Sequence, residues 1–391
     1  MPNYLRLLLV AFFACVAMIA CLADGGSGLA SGPSGRKEMS MCGQQRVGQC
    51  VEKFTISRDD SVYECFPSLT RCRNGRLILT YRESDSHAAK EFCRLVVRTS
   101  DDDGNTWSAK TVLAESKESN GSLRKYNCPK VQQLKDGRVL VLCDVFDVPP
   151  ANGKSGGHAS DIVFFVSNDC GNSWLGEQKT GVHGIMPDEV VELQNGDWLL
   201  ATQFRHGNSY QCVSRSIDGG KTWGEPETVA RVDGLNLCEA SIIQLPGGEI
   251  VCYMRENSGK GMPIYKSISR DNGKTWDGPY ETLMMAGHRA VAHMTQSGKV
   301  MITYRHQPGG LGKWAANTFA YLETLQSALE HDRSKQYGSI LPLDHDRSPE
   351  SDSGYTGWAE IRPGQFLVVN YIVDDAPRAQ IRGYRFCEPD F

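Results

Sequence analysis

Apolar residues along this chain fall in short alternating runs broken by a glycine turn, and no stretch keeps a 3.6-residue apolar period for the length of a helix. Six paired runs recur: SLTRCRNGRLILTYR from Ser68, KVQQLKDGRVLVLCD from Lys130, EVVELQNGDWLLATQ from Glu189, SIIQLPGGEIVCYMR from Ser241, HMTQSGKVMITYR from His293 and WAEIRPGQFLVVNY from Trp358. Each reads as two strands joined by a tight hairpin. The first four lead to an octapeptide of the form S-x-D-x-G-x-[TS]-W: SDDDGNTW at 100–107, SNDCGNSW at 167–174, SIDGGKTW at 216–223 and SRDNGKTW at 269–276. Its Asp can take up nearby backbone amides, its Gly supplies a positive φ, and its Trp gives the turn an apolar foot. A turn-forming Asp repeated in unit after unit is structural, so Asp102, Asp169, Asp218 and Asp271 are expected to touch no ligand.

The octapeptides start 67, 49 and 53 residues apart. Recurrence on that scale suits small sheets that bury their faces only when neighbours stack on them. The pattern therefore predicts an all-β chain, a six-bladed β-propeller with blades near 60–107, 122–174, 183–223, 236–276, 286–325 and 352–388. The segment CVEKFTIS at 50–57 is available to pair with the last blade and close the ring, covering an otherwise open edge. Residues 326–351 read as a polar, partly helical insert between the fifth and sixth blades.

Composition agrees: 40 Gly and 17 Pro among 391 residues favour short strands and frequent turns. A net charge of -4 with both signs interspersed gives no basic face for nucleic acid or an anionic membrane. Residues 1–23 read as a secretory signal peptide, with a membrane anchor or a lipid anchor at Cys21 as the alternative. Residues 24–45 read as a flexible leader and 46–391 as the propeller, without a membrane span in the mature chain. A secreted protein is the expected localisation. Twelve cysteines follow the leader peptide, with no CxxC pair, and are expected to act as disulfide staples, one of them joining an early strand to Cys387. Asn120-Gly-Ser is a glycosylation acceptor.

Candidate chemistry emerges when the six hairpins are aligned by their turn glycine. Nine residues before Gly248, Gly298 and Gly364 stand Glu239, Arg289 and Tyr355; seven residues after Gly75, Gly248 and Gly298 stand Arg82, Arg255 and Arg305. Residues at one offset in successive blades line one shared pocket. A carboxylate, several guanidiniums and a phenol converging there suit an anionic or polyhydroxylated ligand.

With these repeats and blade-edge residues the chain resembles the sialidase (neuraminidase) superfamily, in which the octapeptide is called the Asp box, and the likeness covers nearly the whole mature chain. The resemblance implies a six-bladed propeller in which three Arg grip a sialic acid carboxylate, a Tyr nucleophile is activated by a Glu, and an Asp serves as acid and base. By position, Tyr355 matches the nucleophile, Glu239 its activating base and Arg255 the second Arg. Arg289 or Arg305 matches the third, and His288 is either a further pocket contact or structural. The first half departs from the pattern: Cys65 stands where the first Arg belongs, and Arg94 stands at the offset of the acid. Arg82 is a partial replacement for that Arg. Asp161 or Asp188 is the candidate acid, with Asp85 a weaker third.

Three functions compete. The leading one is a secreted exo-sialidase-type glycoside hydrolase acting on a terminal sugar of a glycan. A second is a propeller glycosidase that uses two carboxylates such as Asp161 and Glu239 with water to invert a different sugar. The third is a glycan-binding propeller without turnover, recognising sugar through side chains such as Trp358 and Trp314. GxSxG, HExxH and P-loop motifs are absent from the sequence. No cofactor or metal is expected: the acidic runs at 101–103, 344–346 and 374–375 are read as solvated loop acids rather than calcium ligands.

Overall fold

A hairpin with one apolar face needs a second sheet to cover it, and here every sheet is covered by the next around a ring. The computed structural model describes residues 51–119, 122–148, 160–308 and 316–391. The expected signal peptide and leader, Cys21, Asn120 and Trp314 lie outside the described residues. The described chain folds as a six-bladed β-propeller built from six antiparallel sheets. Their innermost strands are Tyr63–Arg71, Lys130–Gln133, Val190–Glu192, Leu237–Gln244, Gly287–Met294 and Ser353–Arg362. Glu52–Ser57 pairs with Gln380–Cys387 as the outer strand of blade 6, so the ring is closed by the start of the propeller as the pattern predicts.

Blade 5 corrects one boundary. The segment expected to be an insert holds a short helix, Leu325–Leu329, and then Gly338–His345, which is the fourth strand of blade 5. Leu341 and Leu343 point inward from that strand while Ile340 stays exposed, an alternation hidden by the polar residues around it.

Six apolar clusters hold the ring, and each draws on two adjacent blades. The octapeptide turns feed these clusters. In each one the Ser hydroxyl donates to the Asp and accepts from the Gly amide, while the Asp accepts from the Thr or Ser four residues after it, as in Ser100–Asp102–Gly104–Thr106. The tightened turn presses its Gly onto the preceding blade: a Cβ on Gly104, Gly171 or Gly273 would meet Leu367, Ile78 or Leu199 at 3.0 Å or closer. Asp102, Asp169 and Asp218 are held to about pKa 2 by these hydrogen bonds and face away from the blade interfaces.

Around the channel a second set of contacts ties each inner strand to the next. Ser68 Oγ accepts from Val131 N, Gln132 Oε1 from Val190 N, Asp188 Oδ2 from Ile242 N and Ser241 Oγ from Ala292 N. Thr303 and Thr356 share a hydroxyl contact across blades 5 and 6. Between blades 6 and 1 the backbones themselves touch, and Gly357 permits it: a Cβ there would lie 2.4 Å from Leu69 N.

The cysteines are mostly not staples. Cys65, Cys72, Cys93, Cys128, Cys143, Cys170, Cys212, Cys238 and Cys252 are free thiols, and all but Cys170 are buried. They act as small core residues, a common use of unpaired Cys. The early cysteines available to Cys387, Cys42 and Cys50, lie outside the described residues. No helix among the described residues is long and apolar enough to cross a membrane.

Replacing Gly357 by Ala is expected to force blades 6 and 1 apart and to lower the unfolding free energy by about 1–3 kcal/mol. Urea denaturation of Gly357→Ala beside wild type checks it, and equal midpoints would refute the tight closure.

Candidate active site

One backbone device recurs at the mouth of the channel. The inner strands of blades 1, 4, 5 and 6 each carry a β-bulge, between Cys65 and Ser68, Cys238 and Ser241, His288 and Val291, and Ser353 and Thr356. In each bulge one residue takes a left-handed φ: Phe66 at 58°, Glu239 at 46°, Arg289 at 49° and Gly354 at 100°. Met186, at 55°, precedes the inner strand of blade 3. For a residue with a Cβ this costs on the order of 1–3 kcal/mol and persists only where the surroundings fix it. Bulges re-aim side chains, and here they turn Glu239 and Arg289 to one spot.

Tyr355 reaches the same spot from a different position. It follows the left-handed residue of its bulge, whereas Glu239 and Arg289 are that residue. Counting from the hairpin glycine aligned the three because blade 6 carries an extra irregularity between Glu360 and Arg362. Gly354 is required at its place, since a Cβ would lie 2.4 Å from Arg305 Cβ.

The resulting geometry is tight. Tyr355 Oη donates to Glu239 Oε1 at 2.7 Å. Arg255 Nη1 donates to both Glu239 oxygens, at 2.8 and 2.9 Å, and lies 3.1 Å from Tyr355 Oη, while its Nη2 is held by Asn257 Oδ1 at 2.6 Å. Arg289 and Arg305 pass over the Tyr355 ring, with guanidinium carbons 5.8 and 5.1 Å from its centroid. Arg289 is wholly buried, and its terminal nitrogens donate to the carbonyls of Met186 and Pro187. Arg305 donates to Ser353 O at 3.3 Å and to His288 Nδ1 at 3.1 Å. Because a guanidinium only donates, His288 accepts at Nδ1 and is neutral; burial with Arg255 and Arg305 nearby pushes its pKa down to about 2.

Electrostatics separate the partners. Burial pushes Glu239 up, but Arg255 and Arg289 outweigh it and hold the carboxyl at about pKa 2. Burial and the Glu239 charge push the Tyr355 phenol well above its ordinary value, so the proton stays on the phenol and is shared toward the carboxylate. Arg255 and Arg289 both act on the Glu239 carboxylate, while Arg305 lies between the Tyr355 ring and Asp352, 4.0 Å from the Asp352 carboxylate.

The remaining candidates sit elsewhere. Asp161 begins the third strand of blade 2, half exposed, where it pairs with His183 at 2.8 Å and has no contact with the Tyr355 group. Asp188 is buried as the clip on Ile242 N, 3.9 Å from Lys130, so its carboxylate is already claimed by the next inner strand. Asp85 caps its own loop by accepting from Lys90 N, Glu91 N and Phe92 N. Arg94 pairs with Glu83 at 2.5 Å on a different face of blade 1. Arg82 is buried, lies over the Phe66 ring at 4.5 Å and donates to Asn127 Oδ1 and to the His87 carbonyl, so it braces a loop. Trp358 is buried too, its indole N–H given to Val291 O at 3.0 Å and its ring 5.0 Å from His293 in the channel floor. Cys65 is fully buried opposite Arg82.

Two supporting groups escaped the sequence reading. Gln203 Oε1 accepts from Glu239 N at 2.5 Å and fixes the strained bulge. Phe66 fills the place held by Glu239 and Arg289 in other blades and packs on Tyr355 with centroids 5.1 Å apart. Both stand at the aligned offsets, Phe66 nine residues before Gly75 and Gln203 seven after Gly196, but neither residue type advertises a charge or a nucleophile.

A six-bladed propeller with a phenol, a carboxylate and arginines converging on a bulged rim defines a propeller of the sialidase superfamily. The chain belongs to the BNR repeat-like domain family, which matches residues 75–366. Over 204 residues it is 26% identical to a sialidase of Bacteroides fragilis, covering 50% of this chain and 36% of that protein. The chain spans between 23% and 36% of the length of the curated relatives it matches. The same fold is found in a protein of unknown function from Dyadobacter fermentans, with 20% identity, TM-score 0.69 and coverage of 86% and 98% of the two chains. It is also found in an α-L-arabinofuranosidase from Fusarium graminearum, with 14% identity, TM-score 0.59 and coverage of 86% and 98%.

The depressed Glu239 pKa has a consequence for stability. A carboxyl whose pKa falls from 4.5 to about 2 on folding contributes stability that is complete above pH 4.5 and is lost as pH drops toward 2. The stability gap between wild type and Glu239→Gln is therefore expected to narrow from pH 5 to pH 3, read by denaturant unfolding at each pH. A gap independent of pH would contradict the assigned ionisation.

Proposed function

We propose that the protein is a retaining glycoside hydrolase of the exo-sialidase type, acting on a terminal anionic sugar of a glycan. The observation that carries this reading is the 2.7 Å hydrogen bond from Tyr355 Oη to Glu239, set among Arg255, Arg289 and Arg305. A neutral phenol can approach an anomeric carbon that sits beside a carboxylate without the repulsion a carboxylate nucleophile would suffer. As the Tyr355 oxygen attacks, Glu239 takes the phenol proton.

Charge matching supports an anionic sugar. Arg255 and Arg305, each partly open to the pocket, are the arginines placed to meet its carboxylate. Arg289, committed to two carbonyls beneath the Tyr355 ring, acts by charge rather than by contact. An anion bound beside these arginines offsets part of the field that holds Glu239 at about pKa 2, raising its basicity when the phenol must lose its proton. The two-carboxylate inverting alternative loses its support, because Asp161 pairs with His183 away from Glu239.

Secretion of the mature protein remains part of this proposal, supported by the apolar run and small residues at positions 4–23.

Hydrolysis of a fluorogenic sialoside tests the reading. Tyr355→Phe and Glu239→Ala are each expected to lower kcat/KM by at least 100-fold, the scale of a lost nucleophile or proton acceptor. Wild type inactive on sialosides but active on a neutral furanoside or pyranoside would reassign the sugar; inactivity throughout a glycoside panel, with glycan binding intact, would leave a binding protein.

A further inference from the structure

Cleaving a glycosidic bond to an ordinary alcohol requires a proton on the departing oxygen, and neither Asp161 nor Asp188 stands where it could give one. The loop after the second strand of blade 1 supplies a different group. His87 lies there with its side chain half exposed, and its Nδ1 meets Asp352 Oδ2 at 2.6 Å. The imidazole packs edge-on against Phe66, centroids 5.1 Å apart, and Phe66 in turn packs on Tyr355 at the same separation. Tyr371 touches both rings, at 6.5 Å from His87 and 6.3 Å from Tyr355. His87 Nε2 has no hydrogen-bond partner among the described residues.

Asp352 is built to hold that imidazole. It stands two residues before Gly354, on the approach to the Tyr355 bulge, and accepts from Tyr63 Oη and, at 2.7 Å, from Tyr371 Oη as well as from His87. Arg305, which crosses the Tyr355 ring, ends 4.0 Å from its other oxygen. Three donors keep Asp352 an acceptor, so it is not itself the acid. The Arg82 guanidinium grips the His87 carbonyl and Arg378 grips that of Asp85, fixing the loop from behind. Phe66 and Cys65 provide no charge on that side; the charged and titratable groups around His87 are Asp352, Tyr63, Tyr371, Arg82, Asp85, Arg305 and Arg378.

We propose that His87 is the catalytic acid and base of this site, with Asp352 as its positioning residue. The proposal rests on the glycosidase reading above. In the first step Nε2–H of the imidazolium protonates the leaving oxygen as its bond to the anomeric carbon breaks. The Tyr355 oxygen forms the new bond and its proton passes to Glu239. In the second, neutral His87 takes a proton from water as that water's oxygen bonds to the anomeric carbon and the Tyr355–carbon bond breaks, Glu239 returning the proton to the phenol.

Leaving-group dependence tests it. His87→Ala and His87→Gln are compared with wild type on 4-methylumbelliferyl sialoside, whose phenol departs without help, and on sialyllactose, whose alcohol does not. The expected result is a loss of roughly 100- to 10,000-fold on sialyllactose, a much smaller loss on the aryl sialoside, disappearance of the basic limb of the pH profile, and formation of sialyl azide when azide is added. Equal losses on both substrates, or none, in variants whose melting temperatures match wild type overturn the assignment while leaving the glycosidase reading intact. Wild type inactive on both substrates overturns both.

Discussion

The site depends on a bulge that places a residue in the left-handed region at the channel end of an inner strand. A regular strand would send alternate side chains into the channel and into the blade interface. The bulge breaks that alternation once in each of blades 1, 4, 5 and 6, and re-aims the residue in it. Glu239 and Arg289 occupy it despite their Cβ, and a left-handed charged residue is tolerable only because neighbours determine its conformation. Gln203 holds the Glu239 amide and Arg255 holds its carboxylate; the carbonyls of Met186 and Pro187 hold the Arg289 guanidinium. Met186 is itself left-handed at the matching place in blade 3, so one strained turn anchors another.

Below that rim the channel is closed by charge rather than by hydrocarbon. Lys130 lies 3.9 Å from Asp188, His293 lies 3.3 Å from Glu189, and Trp358 covers His293. Burial and the nearby Arg289 push Lys130 down to about pKa 8, while burial pushes Asp188 up. Opposite charges so placed offset one another, and the Arg289 charge extends the same network upward to Glu239. The floor therefore helps set the ionisation of the rim, which links propeller assembly through the Asp188 clip to the chemistry above it.

The architecture was legible because it repeats. Six hairpins, four octapeptides and a closing segment at 50–57 are local signals, and each specifies its own turn or strand. The convergence of Glu239, Arg255, Arg289 and Arg305 was also readable, since equal offsets in equivalent blades share a location, whereas Tyr355 shares the count only through the extra irregularity of blade 6. What could not be read is contact across blades. Asp188 has the residue type of an acid, yet an amide on the next strand claims it. Arg82 shares its offset with Arg255 and Arg305 but folds under a loop. Cysteine count suggested staples where the core wanted small apolar groups. His87 lies in no repeat, and only the return of Asp352 from the far end of the chain gives it meaning.

Blade 1 shows how such a scaffold changes its chemistry without changing its shape. With Cys65 and Phe66 in its bulge, this blade contributes an aromatic wall where blades 4 and 5 contribute charge. The wall packs against Tyr355 on one side and the His87 imidazole on the other, so it sets the spacing between them. With no charged side chain in its bulge, blade 1 contributes shape alone there, and the guanidiniums around Tyr355 come from blades 4 and 5.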